Sequence, residues 1–223
     1  MDSKRIRDEA RFQVFAHMSK AILAYILSGI ITTVVVYNLQ ISAFSRNISL
    51  VSDNPKVVLI TFFAMTAGLI LNLPLSFCAQ RFFLVLSTHT PMEPIPLKRF
   101  FEPFEKPKLL LKGALLVLLT SILSVLGIFV LIFPVWLAFS AAVFFLSENP
   151  EISVCEALKR SAKMMKGRKM FAFKTLLPLF LIYIGISVFL GSLYLVSFFV
   201  SAVIEIMINV VLAVIYNENK TVV

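Results

Sequence analysis

Glu205 is the one acidic residue set deep in an uncharged stretch, with Thr175 to Ile204 before it and Ile206 to Asn217 after it. A carboxylate so placed needs a basic partner, a polar cavity or a proton, which is the chemistry of a proton or cation relay. Asn209 lies one helical turn further on, and Asn72 sits in an earlier apolar run. Together the three form the candidate set for solute transport, although amides and a lone Glu serve helix-to-helix hydrogen bonding equally well. Tyr25, Tyr37, Tyr183 and Tyr194 fall near expected interfaces, where aromatic belts are common. His17 and His89 are separated by a whole helical hairpin and have no Cys, Asp or Glu at ligand spacing, so no metal site is expected. There is no nucleophile elbow, no Gly-rich phosphate loop and no usefully spaced carboxylate pair, so no catalytic residue and no cofactor is expected. Cys78 and Cys155 are too few for a disulfide framework.

The elements that hold these residues follow from apolar length. Of 223 residues, 59% are hydrophobic and 15% charged, against about a quarter charged in soluble domains, so a water-soluble body is excluded. The uncharged runs have the length of bilayer crossings, about 20 residues each. The first expected span covers about 21–40, with Ser28, Gly29, Thr32 and Thr33 as small packing residues. The second covers 57–80, beginning after the turn-forming Asp53 to Lys56 and ending at Arg81, with a kink expected near Pro74. From Leu109 to Ser147 the sole charge is Lys112. One helix over that distance would extend roughly 58 Å, nearly twice the hydrocarbon thickness, so two spans (109–127 and 130–147) joined by a turn near Gly127 to Pro134 are expected. The last pair covers 171–190 and 194–216, connected near Gly191 and Ser192. The expected fold is an all-α polytopic membrane bundle of six helices, with a basic segment at 1–20 and a tail at 218–223.

Charge sets the orientation. The formal net charge is +9, and the six-span arrangement leaves only Arg46 and Lys56 on one side, with the other 19 of 21 Lys and Arg opposite. By the positive-inside bias that face is cytoplasmic, along with both chain ends, and nucleic acid is not the expected partner. Basic residues flanking the spans suit anionic headgroups or a membrane protein partner instead. Between the second and third spans five prolines preclude a long helix, and Phe100, Phe101 and Phe104 alternate with Lys98, Arg99, Lys106 and Lys108. This reads as a loop at headgroup level, rings down and charges out.

A second basic stretch follows Asn149 and Pro150. Ser153 and Glu156 have capping-box spacing, and Val154, Ala157, Leu158, Ser161 and Met165 recur on one helical face. Lys159, Lys163 and Lys166 fill the other side, beside Arg160, and Gly167 is expected to end the helix. These basic residues join Lys98, Arg99, Lys106 and Lys108 as candidates for lipid or partner binding.

The same segment carries a resemblance. The pattern Glu156, Ala157, Leu158, Lys159, Ser161, Met165, Lys166, Gly167, preceded by a proline-containing hairpin and an Asn-Pro turn, resembles a bacterial integral membrane family. That family is catalogued as domain of unknown function 975 and is similar to the membrane part of some glycerophosphodiester phosphodiesterases. The resemblance extends over most of the chain from about Ala21 and departs at Val135, where the family often has Gly after Pro. It implies a multi-pass protein of the bacterial cytoplasmic membrane and lipid contact, and it brings no catalytic residue or substrate. The expected function is a non-enzymatic membrane accessory or scaffold protein. The alternative is a transporter or exporter of a small solute or lipid that uses Glu205.

Overall fold

The computed structural model describes residues 2–29, 55–90, 93–127, 132–189 and 194–222. The far part of the first expected span, with Tyr37, lies outside the described residues, as do Arg46, most of the turn after Gly127 and the connection at Gly191 and Ser192. Helices account for nearly all that is described, and no strand occurs among the described residues. Among the described residues three helices are long and apolar enough to cross a membrane, over Ile70–Thr88, Lys169–Ile186 and Phe199–Asn219.

Helix α1 (Ser3–Ala16) starts where Asp2 accepts a hydrogen bond from the Lys4 amide at 2.9 Å. Its Ile6, Ala10 and Val14 repeat every four residues and are fully buried, so the basic N-terminal segment is a docked helix. A turn at His17 leads to α2 (Met18–Gly29).

Helix α3 (Pro55–Thr88) opens on a proline, whose missing N–H costs nothing in the first turn, and continues unbroken across Pro74. It also continues through Arg81, two turns beyond the expected boundary of 57–80. At Arg81 the guanidinium meets Glu102 at 2.8 Å. The turns beyond it bury Phe82, Phe83 and Leu86. The proline-rich connection that follows holds the short α4 (Lys98–Phe101) and a 3-10 turn, Glu102–Glu105. Phe100 is fully buried and packs edge-on to Phe82, whereas Phe101 and Phe104 are exposed. One ring of the expected headgroup-level loop therefore anchors it to the protein.

Helix α5 (Pro107–Gly127) packs along α3, and Gly113 lies directly against the buried Phe77 ring. The expected 130–147 span is two shorter helices, α6 (Ile132–Phe139) and α7 (Ala142–Glu148), separated by a turn at Ser140 and Ala141. The physical reason lies in α8 (Val154–Met165), where the fully buried Ser161 donates its hydroxyl to the Ala138 carbonyl at 2.7 Å. That carbonyl is in the last turn of α6, where helix ends leave acceptors unpaired. Val154, Ala157, Ser161, Met164 and Met165 are the buried face of α8, so this helix rests against the bundle. Leu158 is half-buried beside them. Ser153 caps it by accepting from the Glu156 amide at 3.1 Å, and Gly167 at φ 79° ends it, as the spacing predicted.

Helices α9 (Lys169–Phe189) and α10 (Tyr194–Asn219) pack on each other, and α1 packs on both. Consecutive residues at the end of α10 then reach four other elements. Tyr216 donates to Glu148 at the end of α7 at 2.9 Å, and Asn217 to Ser87 near the end of α3 at 2.9 Å. Glu218 pairs with Arg5 of α1, Asn219 accepts from Arg168 just before α9, and Lys220 pairs with Glu148. Nearby, Thr175 of α9 donates to Ser3 at 3.0 Å. The ends of α3, α7 and α10, and the starts of α1 and α9, thus meet at one end of the bundle.

Candidate functional site

Five helices surround a cavity of about 510 Å³. Its polar side is built on α10 and α2. The Tyr25 hydroxyl donates to Oε2 of Glu205 at 2.9 Å, and the Asn209 amide donates to the Glu205 backbone carbonyl at 2.8 Å. Ser28 lines the same side and returns its hydroxyl to the Tyr25 carbonyl at 2.7 Å, while Gln80 comes from α3. The rest of the lining is largely aromatic, with Phe83 from α3, Trp136 from α6, and Phe180 and Tyr183 from α9. Trp136 and Phe180 meet edge to face, centroids 5.9 Å apart.

Helix geometry places this cavity at a definite depth. Glu205 precedes Tyr216 on α10 by the same number of residues as Ser76 precedes Ser87 on α3, and both stretches rise about 16 Å. The lining therefore extends from about 6 Å, at Phe83, to about 16 Å, at Glu205 and Ser76, from the polar end of the bundle, the deeper figure being about half a hydrocarbon thickness. No Lys, Arg or His lines it among the described residues, and no group of three metal-binding side chains occurs among them.

Of the transport candidates, the structure brings Glu205 and Asn209 into the cavity. Asn72 does not line it, and its carbonyl oxygen is buried without a partner among the described residues. Tyr25 and Tyr183, expected in the interfacial belt, face the cavity instead. Tyr25 was recoverable only in part from sequence. Its place one turn before Ser28 suggests a shared face, but its pairing with Glu205 spans 180 positions.

The basic candidates separate into two groups. Lys98, Arg99 and Lys106 share a hollow of about 310 Å³ with Arg81, Glu102 and Glu105, four cations against two carboxylates. Lys98 approaches Glu105 at 3.8 Å, Arg81 is held by Glu102, and one Arg81 nitrogen is buried without a partner among the described residues. Lys108 is exposed close by at the start of α5. Lys159, Lys163 and Lys166 are exposed on the outer face of α8. Arg160 is committed to Glu156 at 2.8 Å, a bond that holds the Glu156 carboxyl below its ordinary range.

The pattern behind the family resemblance has structural work. Ala157, Ser161 and Met165 dock α8, and Gly167 turns the chain toward α9. His17 and His89, distant in sequence, are close enough in the fold for His89 to act on the His17 charge. Burial holds His17 below its ordinary pKa, while the Thr90 backbone opposes that shift. Both thiols are free, Cys78 buried and Cys155 exposed. No family model, no curated protein and no solved structure matches the chain.

Proposed function

We propose that this is a six-span protein of the bacterial cytoplasmic membrane, both ends cytoplasmic, that serves as a non-enzymatic accessory protein binding anionic lipid headgroups. The convergence of helix ends at the Tyr216 to Lys220 cluster supports this reading, because each of those ends is one that the six-span arrangement assigns to the same side. In this reading the shorter apolar helix α2 and the α6–α7 pair supply part of the remaining crossings, and α5 supplies another. The converging end carries the Lys98–Arg99–Lys106 hollow and the α8 lysines, while Lys56 stands at the far end of α3. The resemblance of the Glu156 to Gly167 pattern to the domain of unknown function 975 family accords with this reading.

Each Lys or Arg at an anionic surface contributes about 1 kcal/mol, so neutralising three should weaken headgroup binding by roughly a hundredfold at low salt. The test is retention of phosphatidylglycerol by the full chain in mixed nanodiscs, read by native mass spectrometry. The parent is compared with Lys98→Gln/Arg99→Gln/Lys106→Gln and with Lys159→Gln/Lys163→Gln/Lys166→Gln. Equal retention of anionic and neutral lipid in all three proteins refutes the proposal.

A second reading, transport of a small solute or lipid, is favoured by the cavity around Glu205 and Asn209. It requires flux in proteoliposomes that Glu205→Gln changes, and identical flux removes it.

A further inference from the structure

We infer that the cavity bounded by Tyr25, Phe83, Trp136, Phe180, Tyr183 and Glu205 is a binding site for a small organic monocation of the alkylammonium class. The inference deepens the second reading above, but it concerns equilibrium binding and does not need transport. Three observations carry it. First, Glu205 brings a carboxylate to a cavity without Lys, Arg or His among its described lining, and Tyr25 is the carboxylate's only hydrogen-bond partner among the described residues. A carboxylate at that depth is stabilised by a counter-cation, a polar neighbour or a proton, and an organic cation would supply the first of these. Second, five aromatic residues line the cavity, and ring faces attract ammonium groups within about 6 Å. Rings do not coordinate small metal ions, and no group of three metal-binding side chains accompanies Glu205 among the described residues. Third, the volume of about 510 Å³ lies within the roughly 300–1,000 Å³ of small-molecule sites and far exceeds one bare ion.

The ligand's charge would meet Glu205 on the α10 side, with its alkyl groups against the rings. Tyr25 fixes the carboxylate by donating to Oε2 and leaves Oε1 for the ligand. One carboxylate matches one positive charge, so divalent organic cations are disfavoured.

The chain reports on this site unaided, because Trp136 is its one tryptophan and lines the cavity. The full chain in nanodiscs is titrated with choline and, separately, with its uncharged isostere 3,3-dimethylbutan-1-ol, following Trp136 fluorescence. Choline is expected to give a saturable change at a concentration at least roughly tenfold below any response to the isostere. Glu205→Gln should abolish that preference while leaving the response to the isostere in place. Equal responses to the two probes, no saturable choline response, or displacement of choline by equimolar sodium would each overturn the inference, and none of these needs a variant to fold. Choline binding without choline flux in proteoliposomes supports the site and ends the transport reading for this ligand. Absence of choline binding ends the inference even if another solute is carried.

Discussion

Replacing Gly113 by alanine sets two effects of known sign against each other. A Cβ built on Gly113 would stand 2.4 Å from Cγ of Phe77 and 2.5 Å from both Cδ atoms, whereas carbon atoms in contact prefer about 3.5–4.0 Å. The ring or the α3–α5 separation must therefore give by more than about 1 Å. Phe77 has no exposed surface into which to retreat. Overpacking of this kind costs about 1–3 kcal/mol, and the intended contact is at the severe end of that range. Alanine returns about 1 kcal/mol through its better helix propensity. The net expectation for Gly113→Ala is a loss of roughly 2 kcal/mol, or an apparent Tm lower by about 4–8 °C for a chain of this size. Unfolding in mixed detergent micelles, followed by circular dichroism during SDS titration and heating, measures it. Adding Phe77→Leu makes room, so the double variant should be more stable than the sum of the two single losses, by roughly 1–2 kcal/mol. A Gly113→Ala protein as stable as the parent, or strict additivity in the pair, would show that α3 and α5 do not approach as described.

Three further outcomes follow from other parts of the fold. Ser161→Ala leaves the Ala138 carbonyl without its buried donor and should cost about 1–2 kcal/mol in the same unfolding assay, whereas Ser161→Thr, which retains a hydroxyl but adds a methyl to a filled site, should not restore parental stability. Gly167→Ala meets no atom within 4 Å yet must adopt φ 79°, so it should lose about 1 kcal/mol through backbone strain, with Gly167→Asn losing less. Because burial lowers the His17 pKa from 6.5, the unfolded chain binds the proton more readily, and stability should be level above about pH 6.5 and fall as pH drops below it. Melting between pH 5 and 8 avoids Glu156, whose ordinary value is 4.5 and whose stabilisation is lost at lower pH. If the pH slope is the same in His17→Asn as in the parent, His17 is not its source.

Apolar length made the helical class and the long apolar helices legible, because it is a property local to a segment. The helical class, the capping by Ser153 and the turn at Gly167 follow from neighbouring residues, and the structure reproduces them. The packing of α3 beyond Arg81 was hidden because Phe82 meets Phe100, which is remote in sequence. The break at Ser140 was hidden for the same reason, since Ser161 stabilises it from another helix. The docking of α1 could have been read from Ile6, Ala10 and Val14, but the surrounding charges of that segment drew attention to its basic character. Glu205 stood out as a carboxylate in an apolar run. Its aromatic surroundings did not, because α2, α3, α6 and α9 contribute them one or two residues at a time.

The cluster at residues 216–220 also has a bearing on biogenesis. Arg5 and its partner Glu218 are 213 positions apart, so at a synthesis rate of about 5–20 residues per second the ribosome delivers the partner roughly 10–40 s after the arginine. During that interval the Ile6, Ala10 and Val14 stripe has no α10 to cover it, and the clustered ends of α3, α7 and α9 await the residues that join them. The last turn of α10 therefore acts as the closing step of assembly. Chains released before Tyr216 keep most of their apolar helices but lack the contacts that join the ends of α1, α3, α7 and α9.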